Sequence, residues 1–172
     1  GVTLGRKLAG DLIELPYLRV ANVQDGYLDL GLVKTVWIKS DERDKWQLEH
    51  GDLLLTEGGD WDKLGRGTIW RDEVADCIHQ NHIFRVRLCT GEFDPEYVLA
   101  VIRSPYGRDY FKEASKKTTN LASINQRQLK AFPVFKVPLE EQRHIVTFLD
   151  GLQTKVDQLK TLQQKTAAEL DA

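Results

Sequence analysis

Apolar and polar positions alternate over Leu15-Pro16-Tyr17-Leu18-Arg19-Val20-Ala21-Asn22-Val23, which predicts a strand with one buried face, and Asp25-Gly26 supplies the turn that follows. A second extended stretch runs from Leu28 to Ile38. The segment SDERDKWQLEHGD, residues 40–52, reads as a short charged helix ending near Gly51, and the apolar run Leu53-Leu54-Leu55-Thr56 after it predicts a buried strand. Alternation returns from Ile83 to Leu88, placing Phe84, Val86 and Leu88 on one face. Asp94-Pro95-Glu96 has the order of an N-cap followed by an N1 proline, so it opens a helix whose apolar body is Tyr97 to Ile102 and which Ser104-Pro105 ends. Gly107 to Lys116 predicts a second short helix, Ser123 to Leu129 a further turn of helix, and Ala131 to Val137 an extended exit strand. Strands and helices in this order, without regular βαβ repeats, predict an α+β fold with a mixed sheet.

The C-terminal stretch has a different period. Apolar residues fall at Ile145, Leu149, Leu152, Val156 and Leu159, and the register continues through Gln163 and Thr166 to Leu170. Steps of four and three average 3.5 residues, the repeat of a coiled-coil seam, so a long C-terminal helix that wants a partner helix is expected. Pro138 marks its start, and Glu140 and Glu141 place negative charge where the helix dipole favours it. From Glu140 to Asp171 the rod would be about 48 Å long at ~1.5 Å per residue. Gly151 costs about 1 kcal/mol relative to alanine but lies outside the seam. Gln163 and Thr166, polar at seam positions, weaken the far end and can fix register. The rival expectation is a helix folded back on its own domain.

With 172 residues and 41% hydrophobic content the chain can bury a core, and one globular domain plus the helix is expected. It shows no apolar run of about 18 residues and no signal-peptide pattern, which excludes a helical membrane span. Cys77 and Cys89 read as buried thiols in a reducing compartment, so a cytoplasmic location is expected. Methionine is absent even at position 1, so the sequence is expected to begin after a fusion scar or inside a longer chain. The net charge of −2 is unevenly laid out. Residues 1–102 hold 12 Lys+Arg against 18 Asp+Glu, net −6; residues 103–137 hold 8 against 2, net +6; residues 138–172 hold 4 against 6, net −2. A basic stretch on a nearly neutral chain is a candidate phosphate-contacting face or, more plainly, a solvated loop.

Three stretches carry candidate chemistry. Residues 57–67, EGGDWDKLGRG, place four glycines among eleven residues with Trp61, Lys63 and Arg66. This is not the G-x-x-x-x-G-K-[ST] phosphate loop, but it can lay backbone amides and cations against a nucleic-acid strand. Cys77, His79, His82 and Cys89 follow a C-x-H-x-x-H-x6-C spacing that matches no zinc pattern, so structural histidines are expected and no metal. Lys116, Lys117, Thr119 and Asn120, then Asn125, Gln126 and Arg127, set lysines beside the side chains that read adenine and guanine edges in a major groove. No (D/E)-x-K element, methyltransferase Asn-Pro-Pro-Tyr motif, Gly-x-Ser-x-Gly elbow, His-Glu-x-x-His or dinucleotide fingerprint occurs, so an enzyme reading has nothing local to stand on.

On Leu15 to Asp29, His50 to Trp70, Asp76 to Arg87 and Thr118 to Asp150, the chain resembles the specificity subunit of type I restriction-modification systems: one target-recognition domain, residues 1–137, and one spacer helix, residues 138–172. The last stretch is the most specific, because a polar segment runs through an exit strand into Pro138-Leu139-Glu140-Glu141-Gln142 and the heptad helix. The resemblance implies a non-catalytic reader of double-stranded DNA. Modification subunits would bring S-adenosylmethionine and methylate adenine, restriction subunits would cut, and this chain would bind no cofactor. Lys63, Arg66, Lys116 and Lys117 are then candidates for phosphates, and Thr119, Asn120, Asn125, Gln126 and Arg127 for base edges or their immediate support. Ile145, Leu149, Leu152, Val156 and Leu159 are candidates for helix pairing. Family members carry two recognition domains and two spacers, whereas one of each stands here. A half-subunit pairing with its own copy, a fragment of a longer subunit, the recognition part of a fused restriction-methylation enzyme and a coiled-coil protein-binding module all stay open.

Overall fold

The computed structural model describes residues 1–59, 64–89, 91–117 and 122–170, with the backbone alone at Lys117. In chain order the body contains β1 (Leu12–Leu18), β2 (Lys34–Lys39), α1 (Arg43–Trp46), β3 (Leu53–Thr56), β4 (Gly58–Gly59), β5 (Gly67–Ile69), β6 (Ile78–His79) and β7 (Ile83–Val86). There follow α2 (Pro95–Arg103), α3 (Pro105–Ala114), β8 (Lys116–Lys117), β9 (Ala122–Ser123), α4 (Gln126–Lys130) and the long α5 (Leu139–Leu170). The strands form three three-stranded sheets in the orders β2-β1-β6, β5-β3-β7 and β4-β9-β8. β1 is antiparallel to β2 and parallel to β6, so the first sheet is mixed and the fold is α+β.

β3 is the centre of the body. Leu53 and Leu55 point into one core with Ile69, Tyr97, Leu99, Ile102, Phe111 and Ile124, while Leu54 points into a second core with Leu18, Val23, Trp70 and Ile83. A third cluster, which includes Leu15, Ile38, Trp46 and Ile78, belongs to the first sheet and α1. This two-sided burial is why the segment reads as a continuous apolar run. Phe84, Val86 and Leu88 pack on the first core as one face, and Ile83 turns to the second.

Several elements depart from their expected form. The first strand stops at Leu18, because the Asn22 amide is buried and its groups draw the chain into a 3-10 turn: Oδ1 accepts from Arg19 N (2.9 Å) and Nδ2 donates to Asp29 O (2.7 Å) and Leu32 O (3.1 Å). The charged helix is one turn, α1, preceded by a 3-10 turn over Ser40–Glu42. The exit segment 132–138 joins no sheet; Tyr97 Oη donates to Phe135 O (3.0 Å) and Tyr106 Oη to Pro133 O (3.2 Å), in place of a strand ladder. Asp94 does cap α2, its Oδ1 accepting from Glu96 N at 3.0 Å, and Ser104 caps α3. Cys77 is buried, and burial pushes its thiol up to about 12; Cys89, expected inside, is exposed.

The root of α5 is fastened to the body. Gln142 is fully buried: its Oε1 accepts from Asp94 N (2.8 Å), and its Nε2 donates to Glu92 O (2.9 Å) and Val137 O (2.8 Å). Arg143 lies 3.8 Å from the Asp94 carboxylate, and Ile145 and Val146 pack on the first core. No helix among the described residues is long and apolar enough to cross a membrane.

Candidate nucleic-acid interface

The glycine-rich stretch and the basic stretch, far apart in sequence, meet in the third sheet. Gly58 pairs with Ser123 and Gly59 with Ala122; on the other side of β9, Lys116 pairs with Ser123 and Lys117 with Ala122. Because both pairings are antiparallel, β4 leads into 60–63 and β8 into 118–121 at the same end of this sheet. Glu57 ties the sheet to the body. Its N–H donates to His82 O (3.0 Å), its carbonyl accepts from Ile124 N (2.9 Å), and its Oε2 lies 2.6 Å from His82 Nδ1. Beside the sheet is an open depression of about 520 Å³ lined by Val20, Glu57, Gly58, Gly59, His82, Ala122 and Ser123.

Arg66 stands on the arm returning from the glycine-rich stretch, half-buried, with Nη1 donating to Gln24 Oε1 at 3.3 Å. Lys116 is exposed. Asn125 caps α4: its Oδ1 accepts from Gln128 N (3.0 Å), and its own N–H donates to Gln128 Oε1 (2.7 Å). An amide reads adenine through its oxygen and its NH₂ together, so this cap makes Asn125 a support for its neighbours. Those neighbours, Gln126 and Arg127, are exposed at the first turn of α4. Gln128, which no sequence pattern singled out, pins α4 to the end of α3. Its Nε2 donates to Ala114 O, and its backbone oxygen accepts from Tyr110 Oη at 2.8 Å. Lys63, Thr119 and Asn120 lie outside the described residues, as does the side chain of Lys117.

Of the four side chains with metal-ligand chemistry, Cys77, His79 and His82 have separate partners. The Cys77 thiol faces Ile78 O at 3.5 Å, and His79 Nδ1 faces Ile83 O at 3.1 Å. Burial, helped by nearby positive charge including Arg85, lowers His79 to about 4, so the imidazole is neutral and donates from Nδ1. His82 faces Glu57, and Cys89 is exposed. Among the described residues no three His, Cys, Asp or Glu come together as a metal site.

Known proteins are similar to this chain in sequence. The chain is 30% identical over 142 residues to the Methanocaldococcus jannaschii protein named as the type I restriction enzyme MjaX specificity subunit, a match covering 81% of this chain and 33% of that protein. It is 26% identical over 147 residues to the EcoKI specificity subunit of Escherichia coli, covering 84% of this chain and 32% of the relative. The StySPI specificity subunit of Salmonella potsdam is 24% identical over 148 residues, covering 86% and 32%. The similarity is to one domain of type I restriction specificity subunits. The chain spans about one third of the length of these curated relatives. No protein-family model matches it.

In this chain the residues expected to pair helices divide into two groups. Ile145 is half-buried on the domain's own core. Leu149, Leu152 and Val156 are 42–43% exposed, and Leu159 is 60% exposed. Phe148 and Leu162, outside the expected seam, are exposed as well and widen the apolar stripe. The missed residues of the domain, Gln128 and Gln142, share one signal: each is an uncharged amide in a first helical turn, where its side chain can bond back to backbone groups.

Proposed function

We propose that this domain recognises sequence in duplex DNA as part of a type I restriction-modification enzyme of the cytoplasm and catalyses nothing itself. The observation that carries the reading is that β4 and β8 end side by side, Gly59 and Lys117 flanking Ala122 at one end of the β4-β9-β8 sheet, with Lys116 on its edge strand. Loops set on a rigid scaffold can approach one groove together, and the basic segment beside them supplies phosphate contacts. Arg66, Lys116 and Lys117, with Lys63, contact phosphates; Gln126 and Arg127, with Thr119 and Asn120, face bases, held by Asn125. Partner modification subunits, carrying S-adenosylmethionine, methylate adenine where this domain places them, and restriction subunits cut.

Fluorescence anisotropy against target and random duplexes tests this. Lys116→Ala weakens every sequence alike and lowers the log-log salt slope by about 0.9. Gln126→Ala or Arg127→Ala relaxes preference at one base pair by about 1–3 kcal/mol. Equal losses on target and random duplex for both would remove these residues as base readers.

The same reading gives α5 a partner helix. Its 32 residues make a rod of about 48 Å at ~1.5 Å per residue, and the exposed stripe Leu149, Leu152, Val156 and Leu159 supports antiparallel pairing with a second copy or with a second spacer of a longer subunit. Two identical readers demand an inverted-repeat target. Solution mass together with selection from a random duplex library decides between the two partners: a dimer selecting inverted repeats identifies the second copy.

A further inference from the structure

The turn 24–27, the arm carrying Arg66 and the junction of α2 with α3 surround a cavity of about 360 Å³. Gly26 N donates to Gly67 O at 2.9 Å, which holds the turn against that arm. Three guanidinium groups line the cavity, Arg66, Arg103 and Arg108, together with one carboxylate, Asp25, and the Tyr27 ring, which is 61% exposed. Arg103 Nε donates to Asp25 Oδ1 at 2.8 Å, and Arg108 Nη2 donates to Asp25 Oδ2 at 3.2 Å. Arg108 Nε is fixed on Arg103 O at 3.0 Å. The Arg66 Nε is buried without an acceptor among the described residues. At Gly26, where φ is +88°, a Cβ would come within 2.9 Å of Arg103 Nη1, so glycine both makes the turn and leaves room for the guanidinium.

Three positive groups against one negative leave a local charge of +2 on a chain whose net charge is −2. Guanidinium forks match a phosphate as well as they match a carboxylate. We propose that this cavity takes a phosphate group of the DNA backbone, and that Asp25 is the built-in competitor that holds Arg103 and Arg108 in place until the phosphate displaces it. The proposal rests on the duplex-binding reading above and extends it from the edge sheet to the α2–α3 junction.

Two variants of opposite expected effect test it in the full chain, with folding followed by thermal denaturation. Arg103→Gln combined with Arg108→Gln lowers affinity for random and target duplex alike and reduces the salt slope by about 0.9 for one lost phosphate. Asp25→Asn, nearly isosteric, removes the competitor and tightens both duplexes severalfold; an ion pair that serves only the fold gives weaker or unchanged binding instead. Should the double variant fail to fold, the sign of the Asp25→Asn effect decides alone. Inorganic phosphate, followed through the arginine Nε–H NMR signals, distinguishes the source of the ligand. If free phosphate perturbs Arg103 and Arg108 while the double variant keeps the wild-type duplex slope, the backbone assignment is overturned. If the wild-type chain binds no duplex at any salt concentration, the failure lies with the duplex-binding reading; if it binds and neither variant changes the slope or the affinity, the failure lies with this cavity alone.

Discussion

The central sheet β5-β3-β7 and the edge sheet β4-β9-β8 have the same number of strands and opposite construction. In the central sheet β3 is buried on both faces, its four residues at most 1% exposed, and it exchanges backbone bonds with a strand on each side. In the edge sheet every strand has two residues, Ser123 and Lys116 are exposed, and the ties to the body run through Glu57 and Ile124. The central sheet gains its free energy from apolar burial on two faces; the edge sheet gains little and instead sets the positions from which 60–63 and 118–121 depart. Different sequences can occupy such departures while the scaffold is left alone.

The largest contrast is expected at Leu54. It is fully buried in the second core, so Leu54→Ala loses transfer free energy and leaves a cavity, lowering stability by about 3–4 kcal/mol in urea denaturation. Ser123→Ala on the edge sheet is expected to stay within about 0.5 kcal/mol. Comparable losses at the two positions would erase the distinction between scaffold and edge.

A smaller effect, again confined to the scaffold, comes from His79. Its pKa is about 4 in the fold, from burial and then nearby positive charge, against 6.5 for the ordinary imidazole. The unfolded chain therefore binds the proton first. Stability from this group is complete above pH 6.5 and is lost as pH falls toward 4, with a loss on the order of 2 kcal/mol by pH 4.5. Urea midpoints at pH 7.5 and 4.5, for wild type and for His79→Asn, check it. A pH slope that survives unchanged in the variant removes His79 as its source.

What the chain revealed in advance follows the same division. β3, the Asp94 cap and the start of α5 are written locally, in an apolar run, a cap followed by proline, and a proline followed by two acids, so all three were legible. The edge sheet was not, because Gly58-Gly59, Lys116-Lys117 and Ala122-Ser123 are too short to show a period and pair only across long stretches of chain. Lys116 falls at the end of an expected helix rather than in a strand for that reason, although its chemistry already marks it. The expected exit strand failed where the Tyr97 and Tyr106 hydroxyls, from distant helices, took the place of strand partners. Heptad spacing found the stripe on α5 without saying what covers each position, and Ile145 turned out to meet its own core. Arg103 and Arg108 carried no motif and Asp25 only its turn, since only the fold brings residue 25 to residues 103 and 108.

The finest contrast lies within β4 itself. At Gly58 a Cβ would stand 2.9 Å from Ala122 O and 3.3 Å from Ser123 Cβ, whereas at Gly59 it would meet nothing within 4 Å among the described residues. Gly58→Ala must therefore push β4 away from β9, while Gly59→Ala needs no movement and reduces the freedom of the unfolded chain. The stability change at Gly58 is expected to be about 1 kcal/mol, because the edge sheet holds little of the core. The spacing between the ends of β4 and β8 changes all the same, and duplex affinity falls about tenfold, equivalent to about 1.4 kcal/mol. Gly59→Ala keeps wild-type stability to within about 0.5 kcal/mol and wild-type affinity. Anisotropy with target duplex and urea denaturation on both variants separate the two quantities. Should Gly58→Ala bind as wild type does, the pairing of β4 with β9 has no part in aligning the two departures, and DNA contact must be sought elsewhere on the domain.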